Sequence, residues 1–566
     1  MAAAVRAPAL GAWLDDFFAS YYRRRPVNAT FTGVHAYDHR LPDLSEDGAG
    51  DAVADVETLL ARLRTLPPEA HTVVDALDRR LAEGYLRIRR WEFGSRHFHR
   101  GNPCEYTGEA VFGVVGLFLR PFAPLEDRFL RAFARMAAIP AFLRQGRANV
   151  RRAPAAWVAR AIRECDGALA FFGDGIDLLL RDRAGGVTPL ERSLVDGAQA
   201  AFAEFRDYLA GDLAPRATAD YACGGEALAL VLREGHCLAE SAGTIAAYAR
   251  DRMEACEAQL HEQAAFGART WREALAPLAD RHPPADAYYP RFAEVWAAAR
   301  AAADAHGLVT WPDAPIRYGP QPAWARGAAP SLYFLAYRSP APFDRLPVTD
   351  YLVPPVDAAM APDAQARRLR ETNDSVIKLN HVIHHGGLGH HVQNWYAARA
   401  ASRIGQVAAV DCASRIAMVC GGTMAEGWAC YATDLMEEIG FLDPLERYAQ
   451  VHARLRMAAR ALVDVRLHEG AITLDDAAAV YRDRVGMTPA AAHAEAVKNS
   501  MFPGAALMYL AGTDRLHALR RALSARAGFD LRAFHDRVLA FGSIPVTLIA
   551  SAMQTAGAGA MTEEAR

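Results

Sequence analysis

From Leu10 to about Thr310 the apolar residues recur at intervals of three and four, as in FLRAFARMAAIPAFLRQGRANV (129–150) and AGTIAAYARDRMEACEAQLHEQ (242–263). That period is the repeat of one face of an α-helix and predicts a run of amphipathic helices. Turn clusters such as LPDLSEDGAGD and RHPPADAYYP interrupt it. Between 311 and 356 the pattern changes. WPDAPIRYGPQPAWARG, SLYFLAYRSPAPF and VTDYLVPPV are rich in proline and aromatics, with short alternating runs, and predict a small β-sheet inserted between helices. After Ala358 the helical period returns and holds to about residue 555, which leaves 556–566 as a flexible tail. No repeat or low-complexity linker is visible. The expected fold is mainly α, a large elongated helical unit over 1–566, with a helical half (1–310), a small β-rich insert (311–356) and a second helical half (357–555).

Composition narrows the partners. A 52% hydrophobic and 23% charged chain has the apolar content of an ordinary globular protein, and 63 Lys+Arg against 66 Asp+Glu leave a net charge of only -3. Nothing there attracts nucleic acid or anionic lipid in bulk. No stretch of membrane-spanning length is free of charge, and Asp15 and Asp16 interrupt the opening MAAAVRAPALGAWLDDFFASYYRRRP before an apolar core of signal-peptide length. The expected location is the cytoplasm, without nucleic-acid or membrane partners. The eight cysteines (104, 165, 223, 237, 256, 412, 420 and 430) form no C-x-x-C pair and are expected to be reduced, mostly buried thiols.

The candidate chemistry is concentrated in NHVIHHGGLGHHVQNWY (380–396), which holds His381, His384, His385, His390 and His391. Asn373, Asp374 or Ser375 can cap a helix entering this segment. Helical spacing then places His381 on one face with His384 and His385, and imidazoles one turn apart can grip one divalent cation. The three glycines of GGLG favour a bend, after which His390 and His391 can swing back towards His384. Glu426, opening a helical segment in GGTMAEGWACYATDLMEEIG (421–440), completes a His2Glu shell of the kind that leaves one position open at catalytic zinc. The bland alternative is a solvated or hydrogen-bonded histidine face. The clustering of five favours a metal site over it.

At these residues the sequence resembles the bacterial Domain of Unknown Function 885 family, itself similar to the gluzincin metallopeptidases. The family signature H-E-x-x-P-G-H-H-x-Q is matched at His384, Gly389, His390, His391 and Gln393, and E-G-W-A-x-Y at Glu426, Gly427, Trp428, Ala429 and Tyr431. PVNATFTGVHAYDHRLPDLSED resembles the family's opening, AIPAFL its helical core, and FPGAALMYLAG its late segment, with Pro503, Tyr509 and Gly512 in place. The resemblance covers nearly the full length.

It implies a zincin-like architecture and a metal shell of His384, His390 and Glu426, with His391 close by as a substrate or outer-shell group. The metal would be zinc by family likeness, although histidine and carboxylate ligands also suit iron or manganese. The family's general-base glutamate is replaced by His385, and the proline before the glycine by Leu388. His385, His391 and Tyr509 are the candidate catalytic groups, Tyr509 as a phenolic donor to a developing oxyanion. Gln393, Trp428, Tyr431 and Lys498 are the candidate substrate contacts. Lys498 lies near a position where the family often carries arginine, and can bind a carboxylate as a point charge. Trp395 and Tyr396 flank the motif as pocket walls or core. Glu437 and Glu438 read as a solvated helix face, and His97 and His99 as part of a loop.

The expected function is hydrolysis of an amide or peptide-like bond in a small or short peptide-like substrate by metal-activated water. The replacement at His385 keeps two others open: a lyase or redox metalloenzyme of small-molecule metabolism, and an inactive pseudo-peptidase that binds a ligand.

Overall fold

The computed structural model describes residues 8–67, 72–181, 183, 186–264, 270–413 and 415–563. Residues 1–7 of the opening stretch and 564–566 of the tail lie outside the described residues. Helices dominate, with one two-stranded sheet among the described residues, so the mainly α expectation stands. The chain divides into two compact units, one of Met1–Tyr221, Gln321–Leu346 and Val410–Ala417, the other of Ala222–Pro320, Pro347–Ala409 and Met418–Arg566. That division is not the 1–310, 311–356 and 357–555 partition read from the sequence. Periodicity reports which face of a helix is buried, not which partner buries it.

In the first unit the principal helices are α1 (Pro8–Arg24), α2 (Glu46–Thr65), α3 (Val73–Gly94), α4 (Cys104–Val115), α5 (Leu125–Asn149), α6 (Ala155–Ala170) and α7 (Pro189–Asp207). Ser45, Thr72 and Thr188 start α2, α3 and α7 by accepting hydrogen bonds from Gly48 N, Asp75 N and Glu191 N, which satisfies donors the first helical turn leaves open. Phe17 of α1 packs against Trp13, Tyr21 and Tyr85, and Trp13 donates its indole N–H to Leu59 O at 3.0 Å. Arg135 is wholly buried, and its guanidinium donates to Arg40 O at 3.0 Å and Thr30 Oγ1 at 2.7 Å. His97 and His99 lie in the turn before α4, as expected, but both are buried.

The second unit contains α8 (Ala242–Ala264), α9 (Tyr288–Ala305), β1 (Ile316–Pro320), β2 (Thr349–Val353), α10 (Ile377–Gly386), α11 (His390–Ala397), α12 (Gly422–Glu438), α13 (Pro444–His468), α14 (Pro489–Met501), α15 (Met508–Ser524) and α16 (Val546–Glu563). The predicted β element is present as a parallel pair with Tyr318 opposite Tyr351. The chain between the strands, Gln321–Leu346, belongs to the first unit. Helix α16 continues to Glu563, so the tail expected from residue 556 is helical over most of its length. Alanine and methionine in AGAGAMTE keep helix propensity that the two glycines only weaken.

Two local features fix this unit around α12 and α13. A Cβ on Gly427 of α12 would come 2.5 Å from Gly512 Cα of α15, so the backbones approach as only glycine permits. The buried Asp464 carboxylate of α13 accepts hydrogen bonds from Gly504 N at 3.0 Å, Ala506 N at 2.8 Å and Leu507 N at 2.9 Å, which fastens the loop leading into α15. The eight cysteines are all free, five buried and three half-buried.

Candidate metal centre

Asn373 is the cap of the three possible ones, with Oδ1 accepting from Val376 N at 3.1 Å. The segment that follows is not the expected α-helix. Ile377–Gly386 is wound as a π-helix, a wider turn often found at functional sites. The widening separates the histidines that α-helical spacing would place on one face. His381 is hydrogen-bonded through Nδ1 to the Tyr351 hydroxyl at 2.7 Å, and its ring lies 5.5 Å from that of Phe292. His384 and His385 turn instead towards His390, with ring centroids 4.9 and 5.4 Å from it.

The glycine segment makes this possible. Trp296 donates to Gly386 O at 2.8 Å, and Gly389 N donates back to Ile383 O at 2.9 Å. A Cβ at Gly386 would collide with the Tyr318 hydroxyl, and one at Gly389 with the His384 carbonyl oxygen. With the chain folded tightly onto the end of α10, α11 starts at His390.

Glu426 reaches the same point from the first turns of α12. Its Oε2 lies 3.5 Å from His384 Nε2 and 3.3 Å from His390 Nε2. That oxygen is buried and makes no hydrogen bond among the described residues. Donor atoms held about 2.0–2.1 Å from a tetrahedral ion lie roughly 3.3–3.4 Å from one another, so the spacing fits a shared cation. His384, His385 and His390 each offer a ring nitrogen, all within 4.8 Å of one another. His385 Nδ1–H donates to Asn380 O at 2.7 Å. In the neutral ring this leaves the lone pair on Nε2, and a backbone carbonyl behind an imidazole is the usual orienting partner of a metal-binding histidine.

The electrostatics agree with a ligand set. Burial lowers His384 below its usual value despite Glu426 beside it, and burial with His384 and His390 lowers His385 well below. Burial opposes ionisation of Glu426, but the facing His390 and His384 outweigh it and hold the carboxylate well below its ordinary range. The lowered His384 and His385 and the ionised Glu426 are in the protonation states in which imidazole and carboxylate bind metal. Cys430, one turn after Glu426, is pushed up by burial and by that carboxylate, so its thiol stays protonated.

Other candidates fall outside this cluster. His391 is buried and donates Nε2–H to Ala314 O at 2.7 Å, so of the two adjacent histidines His390 is the one that joins Glu426. Gln393 donates to Ser543 Oγ at 2.7 Å, Trp428 to Leu388 O at 2.8 Å, and the Tyr431 hydroxyl is bonded to His535 Nε2 at 2.9 Å. All three are buried. The Tyr396 hydroxyl donates to Thr310 O at 2.8 Å, and Trp395 lies 4.0 Å beneath Arg399. Tyr509 is half-buried under the Arg460 guanidinium at 4.7 Å, and half-buried Lys498 helps hold the Glu495 carboxylate low. Glu437 and Glu438 pair with Arg454 and Arg520 and are not simply solvated. Tyr351 and the Asn380 carbonyl, which orient His381 and His385, escaped the sequence reading; no local motif marks either.

Residues 26–553 match the model of a family described as bacterial protein of unknown function, DUF885. No curated protein matches the chain. Among solved structures, one from Shewanella oneidensis, described as a candidate lipoprotein of unknown function, is 22% identical with a TM-score of 0.77, covering 97% of this chain and all of that one. A second, a candidate lipoprotein from Colwellia psychrerythraea, is 16% identical with a TM-score of 0.73, covering 96% of this chain and 98% of that one. Both share the fold.

Proposed function

The chain belongs to the bacterial DUF885 family of unknown function, and we propose that it is a metal-dependent hydrolase of zincin-like architecture, cleaving an amide or peptide-like bond in a small substrate. The observation that carries this reading is the buried Glu426 oxygen, without a hydrogen bond, at 3.3 and 3.5 Å from two imidazole nitrogens. A divalent cation there, zinc first and iron or manganese by the same donors, would supply Lewis acidity towards a carbonyl and towards water. His384, His390 and Glu426 hold the ion. His385, neutral and oriented by Asn380 O, offers its Nε2 lone pair either to the same ion or to a proton released in the reaction. Tyr509 of α15, in the late family-like segment, is the phenol proposed to donate to a developing oxyanion.

The third imidazole beside the His2Glu set favours one second reading, a lyase or redox enzyme on an iron or manganese site. Elemental analysis of protein purified without chelator, with hydrolysis of aminoacyl amides by the same sample, separates the two. About one equivalent of zinc with turnover supports the hydrolase. Iron or manganese with activity lost on exchange to zinc supports the second. Absence of any stoichiometric transition metal overturns both, and leaves a ligand-binding pseudo-peptidase.

No helix among the described residues is long and apolar enough to cross a membrane. The cytoplasm is proposed as the location on the free cysteines, against which stand the lipoprotein descriptions of the two similar structures. Cell fractionation decides between them.

A further inference from the structure

We propose that Trp296 and Trp428 are positioning residues of the candidate metal centre, their indole N–H groups fixing the link that sets His390 against His384. The inference rests on the reading of His384, His390 and Glu426 as metal ligands, and adds which side chains hold them in register. The His384–His385 pair and His390 are joined by Gly386, Gly387, Leu388 and Gly389. A tryptophan meets each of the first three. Trp296 of α9 donates to Gly386 O at 2.8 Å, and Trp428 of α12 donates to Leu388 O at 2.8 Å. Between them the Trp311 ring stands edge-on to Trp296 at 5.8 Å, and its rim lies 3.5 Å from where a Cβ on Gly387 would be.

A link of this composition does not hold its own shape. Three of its four residues are glycines, which have no side chain to pack and the widest backbone freedom. Gly386 also ends α10, where a carbonyl has no partner further along the helix. An indole suits the task. Its large ring is immobilised by packing and its N–H can only donate, so the carbonyl that it holds stays in one place.

The two bonds tie the link to the elements around the centre. Trp428 lies two residues beyond Glu426, so the helix that brings the carboxylate also holds Leu388, two residues before His390. Trp296 holds Gly386, which follows His385 directly, from α9. The bond from Gly389 N to Ile383 O at 2.9 Å closes the link on α10 but does not fasten it to α9 or α12. Loss of either indole bond therefore leaves the 3.3 and 3.5 Å separations of Glu426 from His390 and His384 without one of their supports.

The test is made on the full chain, stripped of metal and reloaded. Trp296→Phe and Trp428→Phe each keep an aromatic ring and lose the N–H. Trp271→Phe makes the same truncation at a buried ring that packs on Arg272 and His452 and has no bond to this link. Zinc affinity is measured by competition with a chromogenic chelator, and cobalt(II) loaded in place of zinc reports ligand geometry through its visible absorption. Trp296→Phe and Trp428→Phe are expected to bind zinc roughly 10- to 100-fold more weakly, the scale of outer-shell losses, with an altered cobalt spectrum and unchanged helical circular dichroism. Trp271→Phe keeps the wild-type affinity and spectrum even where its thermal midpoint falls, which separates positioning from packing alone. Wild-type affinity or a wild-type cobalt spectrum in either folded variant overturns the proposal, as does an equal loss in Trp271→Phe. If Trp428→Phe fails to fold, Trp296→Phe, whose ring is half-buried, decides alone. A wild type that takes up neither metal removes the metal reading and this inference together, whereas variants as tight as a zinc-binding wild type remove this inference alone.

Discussion

Oε2 of Glu426 lies 3.5 Å from Nε2 of His384, and yet it is a buried acceptor without a hydrogen bond. A direct hydrogen bond would have closed that gap, and its being open is what the proposed metal site rests on. Glu426→Gln keeps the shape and removes the charge. It is expected to weaken zinc binding by more than the roughly 10- to 100-fold that outer-shell changes cost at metal sites, with helical content by circular dichroism unchanged. His384→Ala is expected to lose most bound metal in the same folded background, because a large core, not the ion, holds the fold. Global unfolding in either variant would make the cluster structural.

By the family resemblance read from the sequence, His385 takes the place of a glutamate. Its Nδ1–H is committed to Asn380 O at 2.7 Å, and its ring lies 4.7 Å from that of His384. A carboxylate at 385 has no N–H for Asn380 O and adds a negative charge beside Glu426. His385→Glu is therefore expected to lower the native activity and to change metal stoichiometry. Peptide hydrolysis and zinc content, measured together, check it. A gain of roughly 10²- to 10⁴-fold in hydrolysis, the scale of general-base catalysis, with metal content unchanged would show that 385 is an altered base position and nothing more.

The glycine pair behind the centre gives a stability prediction. In Gly427→Ala the new methyl would press on Gly512 Cα and Thr513 N, at 2.5 and 2.9 Å from the Cβ position. Both neighbours are backbone and cannot rotate away. The helices α12 and α15 must separate, at a cost of about 1–3 kcal/mol or more, and Glu426 moves with α12. The expected result is a lower thermal midpoint together with weaker metal binding. An unchanged midpoint would mean that the crossing is looser than described.

These cases show what the sequence could and could not reveal. The histidine cluster and its carboxylate were legible because imidazoles crowd a short segment, and because GGLG marks a bend. The division of labour among the histidines was not. It depends on the π-helical winding of Ile377–Gly386, which sends His381 to Tyr351, leaves His384 facing Glu426 and turns His385 towards His390. An α-helical spacing rule assumes the winding that is absent here. Gln393, Trp428 and Tyr431 share the motifs with His390 and Glu426, but motif membership does not reveal the bonds they make to Ser543, Leu388 and His535, which come from segments far off in the chain. The β element was legible from its alternation and prolines, whereas the interleaved units required long-range contacts that no periodicity encodes.

The last prediction concerns pH and lies in the first unit. His35 is held by two carboxylates, with Nδ1 2.7 Å from Asp38 and Nε2 2.7 Å from Asp344, and its ring stacks on Phe122 at 3.9 Å. Burial opposes the charged ring, but the bonds to Asp344 and Asp38 outweigh it and raise His35 from 6.5 to about 9. A folded pKa above the unfolded one means that the folded state binds the proton more tightly. The resulting stabilisation is fully present below about 6.5, declines as pH rises, and is gone once pH passes through about 9. Asp38 also pairs with Arg131 at 2.9 Å and Asp344 lies 3.8 Å from Arg120, so the carboxylates remain countered after His35 loses its proton. In His35→Gln the neutral amide cannot supply this proton-linked contribution at any pH. Urea denaturation of wild type and His35→Gln at pH 6 and at pH 10 is expected to show a wide gap in midpoint at the lower pH and a narrow one at the higher. The comparison cancels groups that titrate alike in both proteins. A gap of the same width at both values would show that His35 stabilises the unit by packing on Phe122 and not by its charge.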